Sequence, residues 1–180
     1  INAGVSVGGV AAGGSLVVSK ANGKAILDVS NKNSFKGQSV AFETNTSSQK
    51  KWDAATEKYI DEYTVEAINH AVGVTALSIN VDKVRTFSNM EASTTVGAIS
   101  IEDGAADVKI GATNATKSNA YIHSVRVGLG AACGSNFAQS HAEGKAITTV
   151  NAGASGISAN SFDIFASNSD DIVANADGSN

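Results

Sequence analysis

The chain has 180 residues, a formal net charge of −4 and only 17% charged residues, so it carries no basic stripe of the kind that draws nucleic acid or anionic lipid. With 18 Gly, no Pro, one Trp and 6% aromatics it has few large side chains to fill a broad interior. Its single cysteine, Cys133, excludes an internal disulfide and with it a disulfide-stapled domain.

The opening run from Ile1 to Ser19 is uncharged, but Gly, Ser and Asn alternate through it. It is therefore expected to form a strand rather than a membrane span. A basic region before it, which a signal peptide would need, is absent from the sequence as given. The start at Ile and the polar tail NADGSN imply a piece cut from something longer.

Three blocks repeat along the chain. VSVGGVAAGGSLVVSKANGKA from Val5, VGVTALSINVDKVRTFSNMEA from Val72 and VRVGLGAACGSNFAQSHAEGKA from Val125 each begin with V-x-V and close on Ala25, Ala92 and Ala146. The alternating segments that follow align Asn45, Asn114 and Asn168, and after them Trp52, Tyr121 and Asn175. The units are read as about 5–69, 70–122 and 123–180, within one segment spanning 1–180. The second and third starts are 53 residues apart, the first and second 67, so 14 residues are extra in the first unit. The surplus falls on KWDAATEKYIDEY, about 51–63, the most charged and aromatic part of the chain, expected to be a protruding loop or a short helix.

Elsewhere the pattern is short alternation, as in SLVVS, KAILDVS, ALSINVDKV, DVKIGA and SFDIFAS, separated by Gly, Asn, Asp and Ser. Asn22-Gly23 is the one dipeptide with a clear two-residue hairpin signature. This predicts an all-β chain, a right-handed parallel β-helix or β-solenoid, with glycines at its corners and small residues in a narrow interior. The lack of proline fits strands with a neighbour on each side. If each unit made two or three coils it would advance roughly 10–14 Å, giving a rod of roughly 30–45 Å.

The Ala/Val/Gly blocks at Val5, Val72 and Val125, with strands such as SFDIFASNSDDIVANADG, resemble the repetitive regions of two-partner-secreted exoproteins, the filamentous-haemagglutinin-like and leukotoxin-type filamentous adhesins of Gram-negative bacteria. The resemblance implies a right-handed parallel β-helix, secretion to the bacterial cell surface, and a non-catalytic role in adhesion or as a spacer, with a host or bacterial surface receptor or glycan as partner. It also implies that the segment continues end to end in a longer chain. Neither cofactor, nucleic acid nor membrane insertion is expected.

Candidate chemistry is sparse. His70 and His123 each precede a V-x-V pair, but units two or three coils apart would hold them roughly 10–14 Å from one another, too far to share a metal, so no metal site is expected. His141 with Glu143, in SHAEGK, reads as a solvated corner. Ser124 beside His123 lacks a placeable acidic partner for a triad. Glu102-Asp103, Asp107 and Asp170-Asp171 could serve a polysaccharide-processing β-helix enzyme, the alternative reading, or bind calcium, although the calcium nonapeptide is absent. Regular T-x-T rows for ice binding are also missing, and GVSVGG is no phosphate loop. The candidate partner-binding residues are Trp52, Tyr59 and Tyr63, aromatic anchors on the segment that breaks the repeat. The competing reading folds that segment over the body, its rings covering an apolar patch.

Overall fold

The computed structural model describes residues 2–30, 33–47, 50–102, 107–151 and 159–179. All regular structure among them is β: β1 (Asn2–Val29), β2 (Asn33–Lys36), β3 (Ser39–Asn45), β4 (Lys50–Asp53), β5 (Lys58–Asp61), β6 (Val65–Val96), β7 (Ile99–Glu102), β8 (Asp107–Val150) and β9 (Ser161–Ser179). Every pairing is parallel except that of β4 with β5.

The register is set by the repeated blocks. Val5 pairs with Val72 and Val72 with Val125, while Ala25, Ala92 and Ala146 form a second such column. β1, β6 and β8 each have an outgoing and a return limb. In β8 the outgoing limb is residues 107–127, and the return limb is residues 131–150. The limbs face one another: Ala67, Ala120 and Ile122 of outgoing limbs pack with Val84 of a return limb. Farther along, Val108, Ile110 and Phe42 pack with Val96 and Ile99. Alternation follows from strand geometry, which sends even-numbered residues of the outgoing limb of β8 inward, where they are buried from Val108 to Arg126.

A unit of 53 or 54 residues therefore advances the chain by one strand spacing, not by two or three. The expected rod is corrected to a slab. A return limb is about 65 Å long, whereas four strands stacked at Asn2, Asn69, Ile122 and Ala176 span only about 14 Å. A long hydrogen-bonded limb permits this because its narrow interior is filled by small side chains wherever the two limbs approach.

The limbs join at a tight bend with a register shift, where Thr75 pairs with Gly128 and Leu77 with Ala131. Ala76 thus opposes Leu129 and Gly130, an irregularity of the bulge kind that re-aims a strand. Gly8 and Gly9 of β1 lie at this same bend, Gly8 pairing with Thr75, though without a positive φ; the expected corner role is corrected for Gly13, Gly14 and Gly23, which lie along the strand beyond it. Asn22-Gly23 is no hairpin turn, since it pairs with Asn89 and Met90 in the parallel ladder. Gly14 instead admits the backbone of Val81, and Gly23 the tip of Met90.

Polar residues share the interior with apolar ones, and many bond to each other, although the buried Ser88 Oγ has no partner among the described residues. Thr86, Ser118 and Ser140 form a hydroxyl triangle with edges of 2.7–2.8 Å. Thr44 meets Thr94 at 2.9 Å, and Thr94 donates to the Gly111 carbonyl at 2.6 Å. The largest network lies near the tight bend. Asp82 accepts from Ser15 Oγ at 2.7 Å and from Arg126 Nη2 at 2.5 Å. Arg126 also reaches Asn136, which donates to Ser124, while Asn69 donates to Ser15. Asp82 and Arg126 are 4% and 5% exposed, so this ion pair is desolvated and ties both limbs across three layers.

At the far layer the inward row is open. Phe162, Ile164 and Ile172 of β9 continue columns that bury Val108, Ile110 and Ser118, yet they are 44–49% exposed. No return limb among the described residues lies in their layer.

Asp82→Ala strands a buried guanidinium and should cost about 3–5 kcal/mol in denaturant unfolding, whereas a joint Asp82→Leu, Arg126→Met change should recover much of it. Asp107, on the outer face, accepts from Ser161 and Asn160, and these bonds hold its carboxyl below the usual value of 3.8. Its contribution is present above 3.8 and lost as pH falls through the lowered value. The unfolding midpoints of the parent and of Asp107→Asn should therefore differ at pH 7 and converge in strong acid.

Candidate functional site

The insertion is a β-hairpin, which corrects the expected loop or short helix. Lys50 to Asp53 pair antiparallel with Lys58 to Asp61, and Trp52 is the register partner of Tyr59. The turn is closed by Asp53, whose carboxylate accepts from Ala55 N at 3.1 Å and Thr56 Oγ1 at 2.6 Å. Glu57 takes the left-handed conformation, with φ 52°, to return the chain. Asx bonding at the entry and a left-handed residue at the exit favour a hairpin over a helix here.

The hairpin leaves the layered body at a defined place. Thr46 N donates to the Thr113 carbonyl at 3.0 Å, and Thr64 N to the Lys117 carbonyl at 2.8 Å. Residues 47–63 thus stand where the next layer has only Ala115 and Thr116. The aligned positions shift accordingly. Asn45 pairs with Thr113 rather than Asn114, while Thr46 Oγ1 donates to Asn114 Oδ1 at 2.7 Å. Tyr121 pairs with Ile68 and Asn175, and Trp52 belongs to the hairpin alone.

Of the three candidate aromatics the structure joins two. The Trp52 and Tyr59 rings meet edge to face, with centroids 5.1 Å apart and planes at 67°. Such a pair stabilises a cross-strand position by about 0.5–1.5 kcal/mol beyond its buried area. Trp52 remains 51% exposed and Tyr59 68%, more than a loop laid over an apolar patch would leave. Tyr63 stands in the return segment, 40% exposed, two residues beyond β5.

The histidines are placed differently from their expected separation. His70 and His123 are register partners in adjacent strands, and their ring centroids are 6.2 Å apart. His141 and Glu143 are not at a corner: both point outward from β8, with Nε2 and Oε1 3.2 Å apart. The acidic residues are scattered. Asp170 faces inward and accepts from Asn168, and Asp107 clamps the start of β9. Glu102 and Asp103 lie outside the residues whose side chains are described. Among the described residues no group of three or more His, Cys, Asp and Glu side chains converges on a metal position.

Two shallow grooves of about 300 and 330 Å³ run along the outer face of the return limbs. The first lies over Asn22, Gly23, Lys24, Asn89 and Glu91, with Lys24 ion-paired to Glu91 at 2.7 Å. The second is lined by Lys83, Arg85 and Phe137 among others, with the Arg85 guanidinium 5.8 Å from the Phe137 ring centroid. Sequence reasoning missed both, because each is assembled from outward residues of adjacent layers.

No protein-family model, curated protein or solved structure matches the chain.

Because its ring lies outside the interior, Trp52→Ala should change global stability by no more than about 1.5 kcal/mol, the worth of its contact with Tyr59. As the only tryptophan, Trp52 should also give strongly solvent-quenched fluorescence in the folded parent; a shielded indole or a large loss of stability would place the hairpin against the body.

Proposed function

We infer that the chain is a right-handed parallel β-solenoid segment of a secreted bacterial surface exoprotein. In this reading it is a non-catalytic scaffold that presents the 50–61 hairpin to a host or cell-surface partner. The repeated parallel register, 67 residues across the insertion and 53–54 elsewhere, supports a chain that winds once per unit. A right-handed crossover is the normal hand for parallel connections. The small-residue interior and lack of proline support the same reading.

The observation that carries the adhesive role is the exposed Trp52–Tyr59 pair. An apolar edge-to-face pair left in water gains little for the fold, whereas aromatic side chains on a projecting element are the anchors that recognition surfaces use. The body closes the equivalent position in the next layer with two residues, so the hairpin is not needed to complete the ladder. Surface display and secretion rest on the likeness in sequence texture.

Replacing residues 47–63 with Ala-Thr, the local sequence of the next layer, should leave the far-UV spectrum and the unfolding transition of the body intact. The labelled protein should then lose adhesion to epithelial or bacterial cells, and Trp52→Ala with Tyr59→Ala should reproduce most of that loss. Adhesion that survives both changes removes the hairpin as the recognition element.

A further inference from the structure

We propose that His70 and His123 together form a binding site for a divalent transition metal of the copper(II) class, with Asp177 positioning His123. The three residues occupy one outward column, Ala3, His70, His123 and Asp177, read down four adjacent strands. Parallel neighbours are separated by about 4.8 Å, a spacing that two imidazoles can bridge through one ion at metal–nitrogen distances of about 2.0–2.1 Å. The ring centroids already lie 6.2 Å apart, with planes at 64°. Both side chains lie on the outer face, where their rings can turn toward a common ion without disturbing the interior.

The column also sets the chemistry. His123 Nδ1 lies 3.3 Å from Asp177 Oδ2. A carboxylate there holds the proton on Nδ1 and leaves the Nε2 lone pair free for a metal, the carboxylate–histidine arrangement that fixes tautomer and ring orientation. His70 is flanked by Tyr121, with ring centroids 6.0 Å apart, which limits its rotamers. Above it Ala3 leaves the approach open. Two protein nitrogens with the remaining positions on water suit tetragonal copper(II), which also binds nitrogen ligands most strongly among the divalent first-row ions.

The test is titration of the full chain with copper(II) in glycine buffer, followed by electron paramagnetic resonance. One saturable ion per chain, with nitrogen splitting from two imidazoles, is expected. His70→Ala and His123→Ala should each weaken binding more than tenfold and leave a one-imidazole signal, and Asp177→Asn should weaken it about 10–100-fold. His141→Ala should leave it unchanged. A two-imidazole signal that persists in His70→Ala or His123→Ala, or its loss in His141→Ala, overturns the site. Full affinity in Asp177→Asn overturns the positioning role. Should an alanine variant fail to fold by circular dichroism, His70→Gln and His123→Gln carry the same comparison.

Discussion

The fixed distance between parallel strands governs this molecule. Once Val5 sits over Val72 and Val72 over Val125, every side chain shares a column with others about 4.8 Å away. Inward columns must fit between two facing limbs, which restricts them to Ala, Val, Ile, Ser, Thr and Asn over most of their length. Outward columns must tolerate like neighbours or make use of them, as Lys24 and Glu91 do.

The interior is mixed because hydroxyl and amide groups in such columns can bond both across the limbs and between layers. The Thr86, Ser118 and Ser140 triangle does both, Ser140 being the layer neighbour of Thr86 and Ser118 lying opposite. Apolar packing concentrates where Phe42, Val96, Ile99, Val108 and Ile110 meet, far from the tight bend. The Asp82–Arg126 pair holds the other extremity. Its cost of desolvation is offset in part by the bonds of Arg126 Nη2 to Asp82 and Asn136 and of Ser15 to Asp82, and Gly134 leaves room for the guanidinium because a β-carbon there would collide with it.

Parallel β structure and much of its register were legible in the sequence, since V-x-V starts and matching Ala ends are the column partners themselves. The number of layers per unit was not. Alternation reports which residues face inward but not where a strand bends, and limbs of about 20 residues carry no turn signal in their middle. The hairpin was recognisable as an interruption through the 14-residue surplus, while its β form depended on Asp53 and Glu57, whose turn geometry short-range patterns express weakly. The proximity of His70 to His123 was obscured by the same uncertainty in layer count.

The column Gly23, Met90, Gly144 carries one more implication. A long thioether is sandwiched between two residues without side chains, and a β-carbon at Gly23 would strike it. Bulk is thus apportioned among successive windings instead of being repeated in each. The units are consequently not interchangeable modules: duplicating the middle one would set two methionines into a space shaped for one, so growth of such a chain by simple tandem copying would demand compensating changes in the neighbouring copies.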